Sequence, residues 1–184
     1  MNIQSLNIRY LPKLTDPQLI SQLRDMLCWA DEQFVPPLSA RHSSTQADLS
    51  PAEAQAGAVD DYLHAMLDQQ FLVALDGNKL AGFMSFRLDH PCEYVEGKMC
   101  TYVSTIIVDG QWRGQHLTEH MYDALFVLPQ VRGTIVATRT WSENHAHLTI
   151  LARQGFDLVK TLPDDRGPGV DTVYYAKRAG RTDE

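Results

Sequence analysis

The apolar positions of this chain change period along its length, from the two-residue alternation of strands to the three- or four-residue spacing of helices. Helical spacing predicts four segments, at 15–34, 50–67, 117–126 and 143–154. Alternation, or a short β-branched run, predicts seven strands, at 7–10, 71–75, 80–88, 99–108, 133–139, 156–162 and 172–177. The order of these segments predicts a mixed α/β fold.

Capping and turn residues set the predicted ends of several segments. Thr-Asp-Pro at 15–17 opens the first helix, and a capping box with Pro at its first helical position, 50–53, opens the second. Asp-Gly-Asn at 76–78 is a turn sequence, so the flanking strands are predicted to form a hairpin. Ser142 is the expected N-cap of the last helix, and residues 179–184 are expected to form a disordered tail.

The composition is that of one soluble domain spanning residues 1–184. Apolar residues make up 44% of the chain, yet no apolar run is long enough to cross a bilayer, and the N-terminus lacks a signal-peptide pattern. The three cysteines form no Cys-x-x-Cys pair, which favours reduced thiols in a cytoplasmic protein over a disulfide or a cysteine nucleophile. The net charge of −7 argues against nucleic acid as a partner, and no membrane partner is expected.

The most informative segment is 103–118, where a β-branched strand breaks at Asp109-Gly110 and an Arg-Gly turn leads into a helix. A turn of this kind points several backbone N–H groups outward, in front of the positive end of the helix dipole. Such an arrangement binds phosphate or pyrophosphate. The segment therefore indicates a phosphate-binding loop.

A second informative segment is 144–156, a short helix that begins near Asn144 and is ended by Gly155 before Phe156 starts a strand. Together the two segments resemble the GNAT family, the acetyl-CoA-dependent N-acetyltransferases. The family has Arg-Gly-x-Gly-x-Gly, or Gln-x-x-Gly-x-Gly/Ala, after a strand ending in Val, and the matching residues are 108–118. The resemblance covers about residues 70–178.

The resemblance implies a GNAT-like fold, with a mixed, mostly antiparallel sheet flanked by about four helices, and transfer of acetyl from acetyl-CoA to a primary amine. In the family the strand before the loop parts from its neighbour and pairs with the pantetheine arm. By this alignment, the backbone amide of Ile106 is the expected oxyanion donor. The expected cofactor-binding residues are Ile106, Ile107, Val108, Arg113, Gly114, Gln115, His116, Leu117, Thr118 and Asn144.

The chain departs from the family at two positions that bear on catalysis. His116 stands where the family has Gly, which is acceptable if its backbone is already helical. Leu151 replaces the tyrosine that many members use as the general acid, so His147 or one of the tyrosines Tyr174 and Tyr175 is the expected substitute. An exposed helical histidine without a catalytic function is the other interpretation of His147.

The general base of the family corresponds to Tyr102, which is a poor base at neutral pH. Alternation along the strand places Tyr102 and Ser104 on the face of Ile106, where either side chain could order a water molecule that carries the proton. Glu93 and Glu96, in the preceding loop, are carboxylate alternatives.

The acceptor pocket is expected between the first helix with its following loop and the loop at 163–169. The first of these walls supplies Trp29, Phe34, Val35, Pro36 and Arg41, although Trp29 is also typical of a core position. The candidate substrate-binding residues are Phe34, Val35, Glu96 and Tyr102. Residues 1–100 contain 13 acidic and 7 basic side chains, so an acidic acceptor side that attracts a cationic amine is one interpretation, and a merely solvated surface is the other.

The expected acceptor is therefore the amine of a small molecule with some apolar body or of a peptide, and a homodimer is compatible with the family. Two alternatives remain. One is a member of the fold that binds acyl-CoA without catalysing transfer, as a sensor or interaction domain. The other is a zinc hydrolase, because His116, Glu119 and His120 form the pattern His-x-x-Glu-His. The GNAT interpretation itself implies acetyl-CoA as a co-substrate and no metal.

Overall fold

A single seven-stranded sheet organises the described part of the chain, which in this computed structural model comprises residues 6–50 and 58–180. The strands are β1 (Asn7–Leu11), β2 (Gln70–Asp76), β3 (Lys79–Pro91), β4 (Met99–Val108), β5 (Ile135–Trp141), β6 (Asp157–Leu162) and β7 (Thr172–Arg178). The helices are α1 (Pro17–Ala30), α2 (Val59–Met66), α3 (Leu117–Phe126) and α4 (His145–Arg153). The predicted mixed fold, with its four helices, is confirmed.

The strand order is β1-β2-β3-β4-β5-β7-β6, and every neighbouring pair is antiparallel except β4 and β5. The sheet is thus mixed and mostly antiparallel, as expected. Only three parallel pairs join β4 to β5, from Thr101↔Val136 to Val103↔Thr138. Beyond Val103 the two strands separate, and a cleft opens in the middle of the sheet.

A β-bulge in β4 lies where this cleft begins. Ser85 of β3 is opposite Thr105, and the next residue, Phe86, is opposite Val103, so Ser104 is an extra residue on β4. Because a bulge bends its strand and increases the local twist, it directs the end of β4 away from β5. The bulge therefore explains why the parallel pairing stops after Val103.

The bulge also corrects the predicted faces of β4. Val103 and Ile106 both pack in the core beneath α3 and α4, although simple alternation would place them on opposite faces. Tyr102 packs on the other face with Ala137 and Tyr174. The prediction that Tyr102 shares a face with Ile106 is therefore wrong.

Helix ends follow local capping, with some shifts from the predicted bounds. The Asp16 carboxylate caps α1 by accepting from the N–H of Gln18 at 2.8 Å. The last helix is capped by Asn144, not by Ser142, because the Asn144 Oδ1 accepts from the N–H of His147 at 3.3 Å. The predicted start of the second helix, at 50–53, falls largely outside the described residues.

The C-terminal end of the chain is more ordered than expected up to Gly180. Ala179 is fully buried, and its N–H donates to the carbonyl of Thr134 at 2.9 Å. The prediction that the tail begins at 179 is wrong for this residue, while residues 181–184 lie outside the described part of the chain. No helix in the described ranges, 6–50 and 58–180, has the length and apolar character needed to cross a membrane.

The two larger hydrophobic cores cover the two faces of the sheet. One core lies beneath α3 and α4 and includes Trp112, Met121, Tyr122 and Leu151. The other lies beneath α1 and α2 and includes Leu23, Leu27, Tyr62, Met66, Phe71, Phe83 and Ile107. Because the cleft between β4 and β5 interrupts the sheet, it connects the α3–α4 face with the α1–α2 face.

Candidate active site

A cavity of about 470 Å³ occupies the cleft between β4 and β5. Its walls come from residues 104–108 of β4, 138–141 of β5, the turn before α3, the start of α4, the end of α1 and the loop at 163–169. The phosphate-loop end contains Arg113, Gly114, His116, Leu117 and Thr118. The opposite end, on the α1 side of the sheet, contains Phe34, Arg41, Arg139, Trp141 and Arg166.

The backbone of β4 turns polar groups toward this cavity. The N–H of Asp109 donates to the carbonyl of Ala81 on β3 at 2.9 Å, which fixes the hydrogen-bonding phase of the β3–β4 ladder. In an antiparallel ladder, alternate residues turn their N–H and C=O groups to the same neighbour. Thr105 and Ile107 therefore face β3, and Ile106 and Val108 face the cleft, where β5 has separated.

The turn that connects β4 to α3 contains two residues in the left-handed conformation. Gly114 has φ +72°, and nothing lies within 4 Å of where a Cβ would be. His116 has φ +62° and ψ +18°, and it is the N-cap of α3. The condition under which a histidine would be acceptable here, a backbone that is already helical, is not met. His116 instead adopts the conformation that favours the glycine of the family pattern, which costs about 1–2 kcal/mol in other residues.

The side chain of His116 is held on the outside of this turn. Its Nδ1 lies 3.1 Å from Glu119 Oε2, and Arg153 Nη1 lies 3.3 Å from Glu119 Oε1. Partial burial raises the pKa of Glu119, but the hydrogen bonds from His116 and Arg153 outweigh this effect, and the pKa is lowered. Glu119 is therefore a carboxylate that joins α3 to α4.

Arg113 crosses the phosphate-loop end and contacts α1. Its guanidinium stacks on the Trp29 ring at 4.6 Å, Nη2 donates to Gln33 Oε1 at 2.6 Å, and Nε donates to the Val108 carbonyl at 3.3 Å. Trp29 is 47% exposed, so its interpretation as a core residue is wrong. The charge of Arg113 is held at the mouth of the cavity by these contacts.

On α4, Asn144 and His147 line the cavity together. The Nδ2 of Asn144 donates to Thr140 Oγ1 at 2.9 Å. His147 Nε2 lies 3.1 Å from the hydroxyl of the buried Tyr122, and burial lowers the pKa of His147 to about 4. The imidazole is therefore neutral at physiological pH, and its interpretation as a freely exposed histidine is wrong.

Of the other predicted catalytic residues, one lines the cavity and two do not. Ser104 lines the cavity, and its hydroxyl lies 2.5 Å from Gln69 Oε1 and 2.9 Å from Ser85 Oγ. Tyr102 and Tyr174 do not line it. Burial raises the pKa of Tyr102, so its phenol stays protonated and cannot act as a base.

The predicted substrate residues are also divided. Phe34 lines the acceptor end and packs against Trp141, with ring centroids 5.8 Å apart. Val35 does not line the cavity itself, and its carbonyl accepts from Arg166 Nη1 at 2.5 Å. Glu96 does not line the cavity and pairs with Arg178 at 2.9 Å, so its assignment to the site is wrong.

The charge of the acceptor end is the reverse of the acidic interpretation. Arg41, Arg139 and Arg166 line it, and Glu119 at the other end is the only acidic residue among the described residues that line the cavity. Sequence reasoning named Arg41 but missed Arg139 and Arg166. Their only signal was the position of Arg139 on the cleft strand and of Arg166 within the predicted loop at 163–169.

Comparison with known proteins identifies the family. The model of the acetyltransferase (GNAT) family matches residues 39–156, which is more than half of the chain. The chain belongs to the GNAT family. No curated protein sequence matches it significantly.

Solved GNAT-like structures share the fold at low sequence identity. The yncA structure from Salmonella typhimurium, which contains its cofactor acetyl-CoA, is 13% identical with a TM-score of 0.63, and the match covers 98% of this chain and 97% of that one. An N-acetyltransferase from Staphylococcus aureus is 13% identical, with a TM-score of 0.63 and coverage of 94% and 99%. RimL, a ribosomal L7/L12 alpha-N-protein acetyltransferase in complex with coenzyme A, is 14% identical, with a TM-score of 0.61 and coverage of 94% and 93%.

The His-x-x-Glu-His pattern does not form a metal site in this GNAT fold. Among residues 6–50 and 58–180, no group of three or more His, Cys, Asp and Glu side chains is placed to hold a metal ion. His116 precedes the first turn of α3, and the Glu119 carboxylate that would act as base is engaged by Arg153. These placements favour the acetyltransferase interpretation over the zinc hydrolase.

Proposed function

We propose that this GNAT protein is an N-acetyltransferase that moves the acetyl group of acetyl-CoA to a primary amine of a small molecule or a peptide. The observation that carries the proposal is the cleft between β4 and β5, toward which the backbone groups of Ile106 and Val108 are turned. The turn at 109–118 follows directly and ends at the N-terminus of α3. Both features have the polarity that a pantetheine arm and a pyrophosphate require.

Residues on the phosphate-loop side would hold the cofactor. The backbone amides from Arg113 to Thr118 would surround the pyrophosphate, with the guanidinium of Arg113 at the mouth. Ile106 and Val108 would pair with the pantetheine amides, and Asn144 would border the arm from the α4 side. Bound acetyl-CoA would supply an activated thioester carbonyl at the point where β4 and β5 separate.

The reaction is a direct transfer. The amine nitrogen attacks the thioester carbonyl, a C–N bond forms, the C–S bond breaks, and the products are the acetylated amine and the thiol of coenzyme A. The N–H of Ile106 is the proposed donor to the oxygen on which negative charge develops. The ammonium must lose one proton before its nitrogen can attack, and the nitrogen loses a second proton as the amide forms. One proton is returned to the departing sulfur, and the other is released to solvent.

The proposed proton paths use the side chains that border the junction of β4 and β5. Ser104, Gln69 and Ser44 form a hydrogen-bonded chain on the α1 side, where a water molecule could carry the proton from the amine. On the α3 side, Leu151 is buried in the core, and Tyr122 with His147 brings a hydroxyl and an imidazole together instead. Tyr122 and His147 are the proposed substitute for the family tyrosine.

Calorimetric titration with acetyl-CoA tests the cofactor part of the proposal. The wild-type protein is expected to bind, Arg113→Ala to bind several-fold more weakly, and His116→Gly to bind equally well or more tightly. Absence of binding at millimolar acetyl-CoA would overturn the proposal. Release of coenzyme A thiol with a panel of amines then tests transfer, and binding without turnover of any amine would favour the non-catalytic sensor.

A further inference from the structure

We propose that the acceptor carries a carboxylate in the same molecule as its amine, so that the substrate is an amino acid or a similar zwitterion, and that Arg139 and Arg166 bind this carboxylate with Arg41 beside them. The inference rests on the proposed acetyl transfer and names the substrate class of the same site. The fold brings these three arginines to one end of the cavity.

These arginines come from separate parts of the chain but lie on one face of the sheet. Thr140 Oγ1 accepts from Asn144 at the start of α4, and Thr138 Oγ1 donates to the Val103 carbonyl, so these two threonines are on the α4 side of β5. Because side chains alternate along a strand, the odd-numbered residues 139 and 141 face the α1 side. Arg139 is one of these residues. It follows Thr138, the last residue that pairs with β4, and is therefore next to the point where the thioester carbonyl would lie.

Each guanidinium is held in place by backbone carbonyls, and two of them keep a donor for a ligand. Arg166 Nε donates to Thr172 Oγ1 at 2.8 Å and Nη1 donates to the Val35 carbonyl, and Nη2 has no hydrogen-bond partner among the described residues. Arg139 Nη1 donates to the Ala47 carbonyl and to the Tyr174 hydroxyl, Nη2 donates to the Gln46 carbonyl, and Nε has no partner within the same ranges. These two donors belong to pre-oriented side chains.

Arg41 contributes charge more than hydrogen bonds. It is 7% exposed, and both its Nε and its Nη2 donate to the Pro36 carbonyl, at 3.0 and 2.7 Å. Burial lowers the pKa of Arg41, and the nearby charge of Arg139 lowers it further. Arg41 thus adds a third positive charge behind the other two.

Among the described residues these arginines lack a direct ion pair, and Asp165 is linked to Arg166 only through the Thr172 hydroxyl, which accepts from Arg166 Nε and donates to Asp165 Oδ2. In the part of the chain that the structure describes, none of the ion pairs within 4 Å involves Arg41, Arg139 or Arg166. Burial, followed by the charges of Arg41 and Arg139, lowers the pKa of Arg166 to about 9, so it remains protonated at neutral pH. Three neighbouring cations, of which Arg41 and Arg166 are buried, are costly in the folded state when no carboxylate of the described residues pairs with them directly, and an anionic ligand would lower that cost.

A purely structural function explains only part of this arrangement. Contacts with the carbonyls of Val35, Pro36 and Gln46 hold the loops around the cavity, and neutral donors could make them as well. The convergence of three charges on a cavity end that Phe34 and Trp141 also line is instead typical of a site for a carboxylate next to an apolar side chain.

The test measures acetyl transfer by the purified protein, at saturating acetyl-CoA, to acceptors that differ only in the carboxylate. Each natural α-amino acid is assayed beside its C-terminal amide and its decarboxylated amine, and kcat/KM is measured from thiol release. At least one amino acid is expected to exceed its amide and its amine by on the order of 100-fold, because the analogues leave charged donors unpaired. Equal rates for the three forms would overturn the inference while supporting N-acetyl transfer.

Variants assign the preference to the arginines. Arg166→Gln and Arg139→Gln are each expected to lower kcat/KM for the amino acid by about 10- to 100-fold, with less than about 3-fold change for the amine, and Arg166→Lys to recover part of the loss. A merely structural function would lower the rates of acid and amine alike. Arg24→Gln, which removes an exposed arginine paired with Asp60, is the control for loss of positive charge and is expected to change neither rate.

The two proposals fail in different ways. If acetyl-CoA binds but no amino acid in the panel is acetylated, the carboxylate inference is overturned, and the acetyltransferase proposal then depends on other amines. If acetyl-CoA does not bind, both are overturned. If the arginine variants keep the wild-type preference for the acid, the assignment to Arg139 and Arg166 is wrong.

Discussion

The phosphate-loop end of the cavity is formed by consecutive residues, 106–118, whereas the arginine end is assembled from residues 41, 139 and 166, which are far apart in the sequence. At the first end, backbone N–H groups and a helix terminus supply the polarity. At the second end, three long side chains supply it, and backbone carbonyls of the segment 35–47 hold them. The two ends therefore differ in which changes they should tolerate.

This difference has a direct consequence for mutation. An end made of backbone groups depends on conformation, so substitutions that alter φ should matter there more than truncation of side chains. An end made of side chains depends on their charge and reach, and on the fold that brings distant segments together. The variants that follow distinguish dependence on backbone conformation from dependence on side chains. They lie at the phosphate-loop end, at His147 between the two ends, and at remote control positions.

Outside the arginine end, the largest effect is expected for Gly114→Val. Gly114 has φ +72°, where a β-branched residue is strained by about 1–2 kcal/mol, and the loop would relieve this strain by moving its amides away from the phosphate site. We expect the affinity for acetyl-CoA, measured by calorimetry, to fall by about 5- to 30-fold. Gly77→Val is the matched control.

Gly77 has φ +59° in the β2–β3 turn, and nothing lies within 4 Å of where its Cβ would be. Its substitution should lower the free energy of unfolding by a similar amount but leave the affinity for acetyl-CoA unchanged. If both variants bind acetyl-CoA like the wild type, the phosphate-loop end does not depend on the conformation of Gly114.

The next effect concerns His147, whose pKa burial lowers to about 4, below the value of about 6.5 for an unfolded histidine. Between these values the unfolded chain binds a proton that the folded chain does not. The stability that this group contributes is fully present above pH 6.5 and is lost on acidification, by at most about 1.4 kcal/mol per pH unit.

Urea unfolding from pH 7.5 to 4.5 measures this loss in the wild type and in His147→Gln. The difference between the two slopes isolates His147 from the carboxylates and from His90, whose pKa burial also lowers. Equal slopes would show that His147 is not buried in its neutral form.

A smaller effect is expected for His116→Gly, because glycine adopts φ +62° without the strain of a side chain. The gain is offset by the greater entropy of glycine in the unfolded chain and by loss of the exposed His116–Glu119 contact. We expect a net increase of up to about 1 kcal/mol in the free energy of unfolding, measured with urea. His116→Ala, which keeps the strain and loses the contact, should be less stable than the wild type.

The smallest effect is expected for Gln115→Ala. The side chain of Gln115 donates to the Gln111 carbonyl at 3.2 Å, and its proposed contribution to cofactor binding is its backbone N–H. The affinity for acetyl-CoA should therefore change by less than about 2-fold. A loss as large as that of Gly114→Val would mean that side chains, not backbone groups, form this end.

The same contrast explains what could be predicted from the sequence. The strand, turn and first helical residues at 103–118 are contiguous, so their spacing predicted the loop and, through resemblance, the family. The site of Arg139 and Arg166 could not be predicted, because it exists only after β5 and the loop at 163–169 are brought beside Phe34. Composition even suggested the opposite sign, since the acidic residues of the first half lie largely outside the cavity.

Ser104 shows a second limit of pattern reading. Alternation placed Tyr102 with Ile106, and one extra residue reversed that assignment. The capping of α4 by Asn144 and the left-handed backbone of His116 could not be predicted for a related reason. Each depends on how the chain enters a helix, and tertiary contacts decide this.

The extra residue in β4 also has a consequence for how selection acts on this fold. Removing Ser104 would leave Thr105 opposite Ser85 and Val103 opposite Phe86, so the β3–β4 ladder would be regular from residue 82 to residue 87 with these side chains still on their own faces. A straightened β4 could then continue its parallel pairing with β5 beyond Thr138. A single-codon deletion is thus expected to give a sheet that folds well and closes over its own cleft, so that selection for stability alone would erase the bulge and only selection for activity would keep it.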